Sequence, residues 1–128
     1  MRILLDTCTF LWIAVDAPEL SARARDLFRE PENDVYLSAV STWEIAVKHA
    51  LGRLPLPDTP ETYVPRLRQR HGIEPLALDE EVTLYSTRLP SLHRDPFDRM
   101  LVCQAIVGGM VLLTPDPGII QYPVRAIW

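Results

Sequence analysis

Cysteine, lysine and histidine are scarce in this chain: two, one and three of 128 residues. Cys8 and Cys103 lack the close, even spacing of a disulfide framework, and no Cys/His group has zinc-ligand spacing, so both classes are excluded. The expected compartment is the reducing cytoplasm. Glycine is nearly as rare, with five residues. None falls in the turn after the first apolar run, which excludes the glycine-rich phosphate loop of a dinucleotide binder. The longest apolar stretch, residues 105–113, is broken by Gly108-Gly109 and falls far short of the ~20 residues of a membrane span. At the start of the chain, Asp6 interrupts the apolar run too early for a secretory segment, so no membrane association is expected. Positive charge is also short. Thirteen basic residues face seventeen acidic ones, giving a net charge of −4 and a pI near 5.3, which is not the footprint of a generic nucleic-acid coat.

What remains is the composition of one globular domain, residues 1–128, with 48% apolar and 23% charged residues. If four acids share one site, the rest of the chain is electrically balanced. Ile3-Leu4-Leu5 reads as a buried strand ending at Asp6-Thr7. Helical segments are expected at Phe10 to Val15 and after the N-cap Ser21, and a second strand at Val35 to Ser38. A helix opens at Ser41-Thr42-Trp43-Glu44 and closes at Gly52. Thr59-Pro60-Glu61 starts the next helix, Ile73 to Leu78 is a third strand, and Asp79 to Leu89 is helical. Asp95-Pro96-Phe97-Asp98 opens an apolar helix to about Val107. Met110 to Thr114 and Val124 to Trp128 complete the strands. Strands alternating with helices predict an α/β fold with three layers, helices covering both faces of a mostly parallel sheet of four to five strands.

In such a sheet, ligands bind beyond the carboxyl ends of the strands. Asp6 and Asp116 follow strands one and four, and Glu44 and Asp98 lie in the first turns of helices entering from the same edge. Each acid except Asp6 also has a plain structural reading. Ser41-x-x-Glu44 is a capping box, Glu44 stands four residues before Lys48, Asp95 has N-cap chemistry, and Asp116 suits a turn. A carboxylate at the end of a buried strand has less structural use, because burying it unpaired costs several kcal/mol, roughly. Clustered carboxylates raise one another's pKa values unless a cation intervenes. An all-oxygen donor set selects Mg²⁺ or Mn²⁺.

Four blocks, Leu4-Leu5-Asp6-Thr7, Ser41-Thr42-Trp43-Glu44-Ile45-Ala46-Val47-Lys48, His93-Arg94-Asp95-Pro96-Phe97-Asp98-Arg99-Met100-Leu101 and Leu112-Leu113-Thr114-Pro115-Asp116, resemble the PIN domain. They are most similar to the VapC-like toxins of type II toxin–antitoxin systems. The family's acidic quartet falls on Asp6, Glu44, Asp98 and Asp116, which the resemblance makes catalytic and metal-binding. It implies a Mg²⁺- or Mn²⁺-dependent endoribonuclease, usually a homodimer, that hydrolyses RNA by metal-activated water and is held inactive by a cognate antitoxin. Cys8 and Pro115 depart from the pattern without removing an acid.

Thr7 and Thr114 are candidates to orient the acids, and Asp95 to cap a helix beside them. Lys48 pairs with Glu44 or stabilises charge, while Arg94 and Arg99 grip phosphates or neighbouring acids. His93 is a candidate RNA contact. Arg66, Arg68 and Arg70 alternate with apolar residues as a second basic candidate, beside Arg23, Arg25 and Arg29. Trp12, Trp43 and Trp128 are read as core or interface residues rather than base-stacking platforms. The antitoxin is expected in a groove between Phe10 to Val15 and Ala22 to Phe28. A haloacid-dehalogenase-like phosphatase needs a second Asp where Cys8 stands, and a cysteine hydrolase needs a base near Cys8. The remaining alternative is a non-catalytic PIN-fold module that binds antitoxin or RNA without cleavage.

Overall fold

Apolar residues of both parities along the strands require a sheet covered on both faces, and the computed structural model, which describes residues 1–92 and 95–128, has that form. Strands β1 (Arg2–Leu5), β2 (Asp34–Ser38), β3 (Glu74–Leu76), β4 (Val111–Leu113) and β5 (Ala126–Ile127) form one sheet in the order β3-β2-β1-β4-β5. Every pairing is parallel, with Leu4 beside Tyr36 on one side and Leu112 on the other. Pro75 lies in the edge strand β3, where a missing N–H breaks no interior ladder.

Ile3, Leu5, Val35, Leu37, Val111 and Leu113 face one layer, built from α1 (Thr7–Val15), α2 (Ala22–Arg29), α4 (Pro60–Arg70) and Ile45 of α3 (Ala39–Ala50). Leu4 and Leu112 face the other, where Leu101, Val102 and Ala105 of α6 (Pro96–Gly108) pack with Val82 of α5 (Glu80–Tyr85) and Ile119 of α7 (Pro117–Ile120). Leu4, Leu5, Leu112 and Leu113 are wholly buried. Burial of a side chain of this size contributes roughly 1.5–3 kcal/mol, so the β1/β4 pair is the mechanical centre on which the carboxyl edge is mounted. Among the described residues, no helix is long and apolar enough to cross a membrane.

Several boundaries differ from the sequence reading. The first helix begins at Thr7, not Phe10, because Asp6 caps it directly from the strand end. The helix carrying Glu44 starts at Ala39 with Ser38 as its cap, so Ser41-x-x-Glu44 does not form a capping box. The segment expected as one helix from Asp79 to Leu89 is α5 followed by a 3₁₀ turn, Ser86–Arg88. A one-turn helix, α7, follows Asp116 where only a turn was expected.

Candidate active site

Asp6 sits where β1 gives way to α1 and is only 4% exposed. Its Oδ1 accepts the backbone N–H of Thr9 at 2.7 Å, and its Oδ2 accepts the Thr114 hydroxyl at 2.5 Å. Thr114 follows the neighbouring strand β4, and its Oγ1 also accepts the N–H of Asp116 at 3.0 Å. One hydroxyl thus ties Asp6 to the turn that carries Asp116. Burial pushes the Asp6 carboxyl above its ordinary pKa; the Thr114 and Thr9 hydrogen bonds oppose the rise, and the charge of Asp116 adds to it. Asp116 caps α7, its Oδ1 accepting the Gly118 N–H at 2.8 Å.

Glu44 projects from the second turn of α3 and is 5% exposed. The Thr7 hydroxyl donates to its Oε1 at 2.6 Å and lies 3.0 Å from Ser41 Oγ. Lys48 pairs with its Oε2. Hydrogen bonding to Glu44 raises the Lys48 pKa, against partial burial and with help from the charges of Glu44 and Asp95. Asp95 is the cap of α6, accepting from the N–H groups of Phe97 at 2.9 Å and Asp98 at 3.2 Å. Half-buried Asp98 lies in the first turn of that helix.

Cys8 reports how these acids sit together. Its thiol is pushed up to about 11, first by burial, then by the charges of Asp6 and Glu44, with Lys48 opposing and Asp98 adding. Three acids from three elements therefore act on one sulfur, and the fourth, Asp116, acts on Asp6. Among the described residues, no three His, Cys, Asp or Glu side chains close on one point as a finished metal cage. The bonds above explain this spacing: the oxygens of Asp6 and Glu44 are each turned toward threonine, lysine or backbone donors. Among the described residues the donor set, carboxylates and hydroxyls without imidazole, suits a hard divalent cation.

Arg99 points elsewhere. Its guanidinium donates to the carbonyls of Pro90 (2.9 Å) and Ser86 (3.0 Å) and to the Tyr122 hydroxyl (3.0 Å), stapling the segment before α6. His93 and Arg94 lie outside the described residues. Thr9 and Ser38 were not singled out from sequence, and Ser41 only as a helix cap; Thr9 donates its hydroxyl to Leu113 O at 2.9 Å, locking α1 to β4. Such ties carry no motif, since any threonine at a strand–helix junction has the same local chemistry. Trp12 and Trp128 pack together, with ring centroids 5.6 Å apart. Trp43, expected in the core or an interface, is 61% exposed and so is not a core residue.

Over residues 3–124 the sequence matches the PIN domain. The chain belongs to the PIN domain family. Ribonuclease VapC16 of Mycobacterium tuberculosis (strain ATCC 25618 / H37Rv) is 39% identical over 72 residues, covering 53% of this chain. This chain spans about half the length of that curated relative, 51%. The PIN fold is also seen in three solved structures. VapBC2 from Rickettsia felis, bound to a DNA fragment from its promoter, superposes with a TM-score of 0.75 at 15% identity, over 99% of this chain and 98% of the other. VapBC-1 from nontypeable Haemophilus influenzae gives 0.68 at 18% identity, over 99% and 97%. FitAcB from Neisseria gonorrhoeae gives 0.62 at 20% identity, over 98% and 96%. At these identities the likeness is one of fold.

Proposed function

We propose that this PIN domain is a divalent-metal-dependent endoribonuclease, the toxin of a type II toxin–antitoxin pair. What supports the reading is that the charges of Asp6, Glu44 and Asp98 all raise the Cys8 pKa, while Thr114 ties Asp6 to the turn of Asp116. A fold that holds this many acids at one edge gains from a cation there, which can bind a phosphodiester, and the relative Ribonuclease VapC16 supports RNA as the polymer. Asp6, Asp98 and Asp116 would hold Mg²⁺ or Mn²⁺, and Glu44 a second ion or its water. The bound cation supplies Lewis acidity that polarises phosphate and acidifies water.

The chain's own residues do the positioning. Thr114 fixes the Asp6 carboxylate, Thr7 fixes Glu44 from the opposite side, and Asp95 sets the start of the helix bearing Asp98. Lys48 balances the Glu44 charge until substrate and cation arrive. Attack by water rather than by the ribose 2′-hydroxyl breaks the P–O3′ bond and leaves a 5′-phosphate and a 3′-hydroxyl.

The antitoxin belongs, on this reading, in an apolar groove of about 410 Å³ that starts at Cys8 and runs along Leu11, Trp12 and Val15 against Leu54 to Pro57. This groove shares Leu11 and Trp12 with the one expected between Phe10 to Val15 and Ala22 to Phe28; Leu11, Leu27, Phe28, Leu54 and Leu56 are all partly buried against the same core. A partner with an apolar segment and a cation at the Cys8 end fits its chemistry. Leu92 and Ile120 are exposed apolar residues on segments joined by the Gln121 side chain, which donates to the Leu92 carbonyl at 3.3 Å, and they are candidates for a homodimer contact.

Titration of the antitoxin-free protein with Mn²⁺ tests the central element. Binding to the folded state alone raises Tm as the cation concentration passes Kd. No rise at saturating Mn²⁺ favours a binding module without cleavage.

A further inference from the structure

A second groove, of about 560 Å³, is lined in part by Trp43, the residue before Glu44. Its walls include Trp43 of α3, Val64, Pro65 and Arg68 of α4, and Pro75 and Leu76 of the edge strand β3. The volume falls within the roughly 300–1,000 Å³ of small-ligand clefts.

Trp43 immediately precedes Glu44, and Phe97 immediately precedes Asp98. The two rings meet edge-to-face, with centroids 5.0 Å apart and planes at 69°. Phe97 therefore holds the indole in place, yet Trp43 stays 61% exposed. A fixed aromatic surface open to water, built into the two helices that carry the acids, costs the free protein apolar exposure. It returns that cost when a flat apolar group covers it.

Arg68 decides what kind of group. It makes no ion pair among the described residues, although it stands in an otherwise mainly apolar groove. A ligand that is planar and apolar at one end and anionic at the other satisfies both features, and a nucleotide is such a ligand. Cover by a second copy of the chain would instead show as a change of oligomeric state when Trp43 is replaced.

We infer that Trp43, braced by Phe97, stacks an unpaired nucleobase of the RNA strand beside the scissile phosphate, while Arg68 takes a flanking phosphate. The inference rests on the reading of this chain as acting on RNA. Because a duplex buries the faces of its bases, the preferred substrate is single-stranded at that position.

The test uses the full chain carrying Asp98→Asn, so that RNA is bound without being cut. Fluorescein-labelled oligoadenylate is titrated by anisotropy beside a hairpin in which the same adenines are paired. Single-stranded RNA is expected to bind more tightly than the hairpin. Adding Trp43→Ala weakens single-strand binding about tenfold, whereas Trp43→Phe, which keeps a ring, stays close to the parent. Arg68→Gln lowers affinity and reduces the salt dependence by about one released counterion. Equal binding by the parent and Trp43→Ala overturns the stacking and leaves the nuclease reading intact. So does a Trp43→Ala chain that sediments as a smaller species, since the groove would then belong to a second copy. Absence of any oligonucleotide binding by the unmutated chain instead contradicts the action on RNA on which the inference rests.

Discussion

The Thr114 hydroxyl donates to Asp6 Oδ2 at 2.5 Å, joining the ends of adjacent strands β4 and β1. That bond opposes the rise in the Asp6 pKa and fixes the direction of its carboxylate while Thr114 receives the Asp116 N–H. Thr114→Val keeps the shape and removes both functions. Loss of a hydrogen-bond partner behind a metal ligand typically costs about 10–100-fold in affinity. Calorimetric titration with Mn²⁺ is expected to show a loss of that order. An unchanged Kd would mean that Thr114 serves only the backbone.

Asp6 illustrates the opposition between stability and function. Its pKa in the folded chain lies above the ordinary value of 3.8, chiefly through burial. The ionised carboxylate therefore opposes folding: stability is greatest below the unfolded pKa and is lost as pH rises through the folded one. Asp6→Asn keeps an oxygen to cap α1 and removes the charge. In metal-free buffer at neutral pH the variant is expected to melt higher than the parent, by roughly a few degrees. With saturating Mn²⁺ the order should reverse, because only the parent gains from binding. A lower melting point for the variant in both buffers contradicts this.

His71 gives the opposite pH signature away from the site. Burial lowers its pKa, with the charges of Arg70 and Arg29 adding to the effect. Its Nε2 is buried without a partner, and its ring meets Phe28 edge-on at 6.2 Å. The unfolded chain takes up this proton near pH 6.5 and the folded chain only at lower pH. Stability is therefore lost as pH falls below about 6.5, until the folded group also protonates. His71→Phe is expected to flatten that part of a plot of urea midpoint against pH. If both chains lose stability equally there, the loss arises elsewhere.

The order of strands and helices was legible because apolar runs of both parities, closed by Asp6-Thr7 or Thr114-Pro115-Asp116, admit few alternatives to a covered parallel sheet. Cap positions were less legible. Ser38 and Ser41 have the same cap chemistry, and the choice depends on how far β2 pairs with β3: Ser38 is still opposite Leu76, with extended backbone, so the helix starts immediately after it. Asp6 as a cap was hidden for the same reason, since no loop separates its strand from α1. The acids themselves were visible as residue types at strand and helix ends. Their bonds to Thr7 and Thr114 are tertiary, crossing 37 and 108 residues. Trp43 was read as core or interface, and the sequence could not choose between them, because the exposure of its side of α3 is decided by what packs against that helix.

The most direct test incubates the antitoxin-free chain and Asp98→Asn with end-labelled total RNA in Mn²⁺, with a chelator control, and maps the ends. Discrete cuts bearing 5′-phosphate and 3′-hydroxyl groups, requiring both the cation and Asp98, are expected. Cuts that survive the chelator or Asp98→Asn, ends carrying a 2′,3′-cyclic phosphate, or no cuts where Mn²⁺ binding is demonstrated would contradict a metal-dependent ribonuclease.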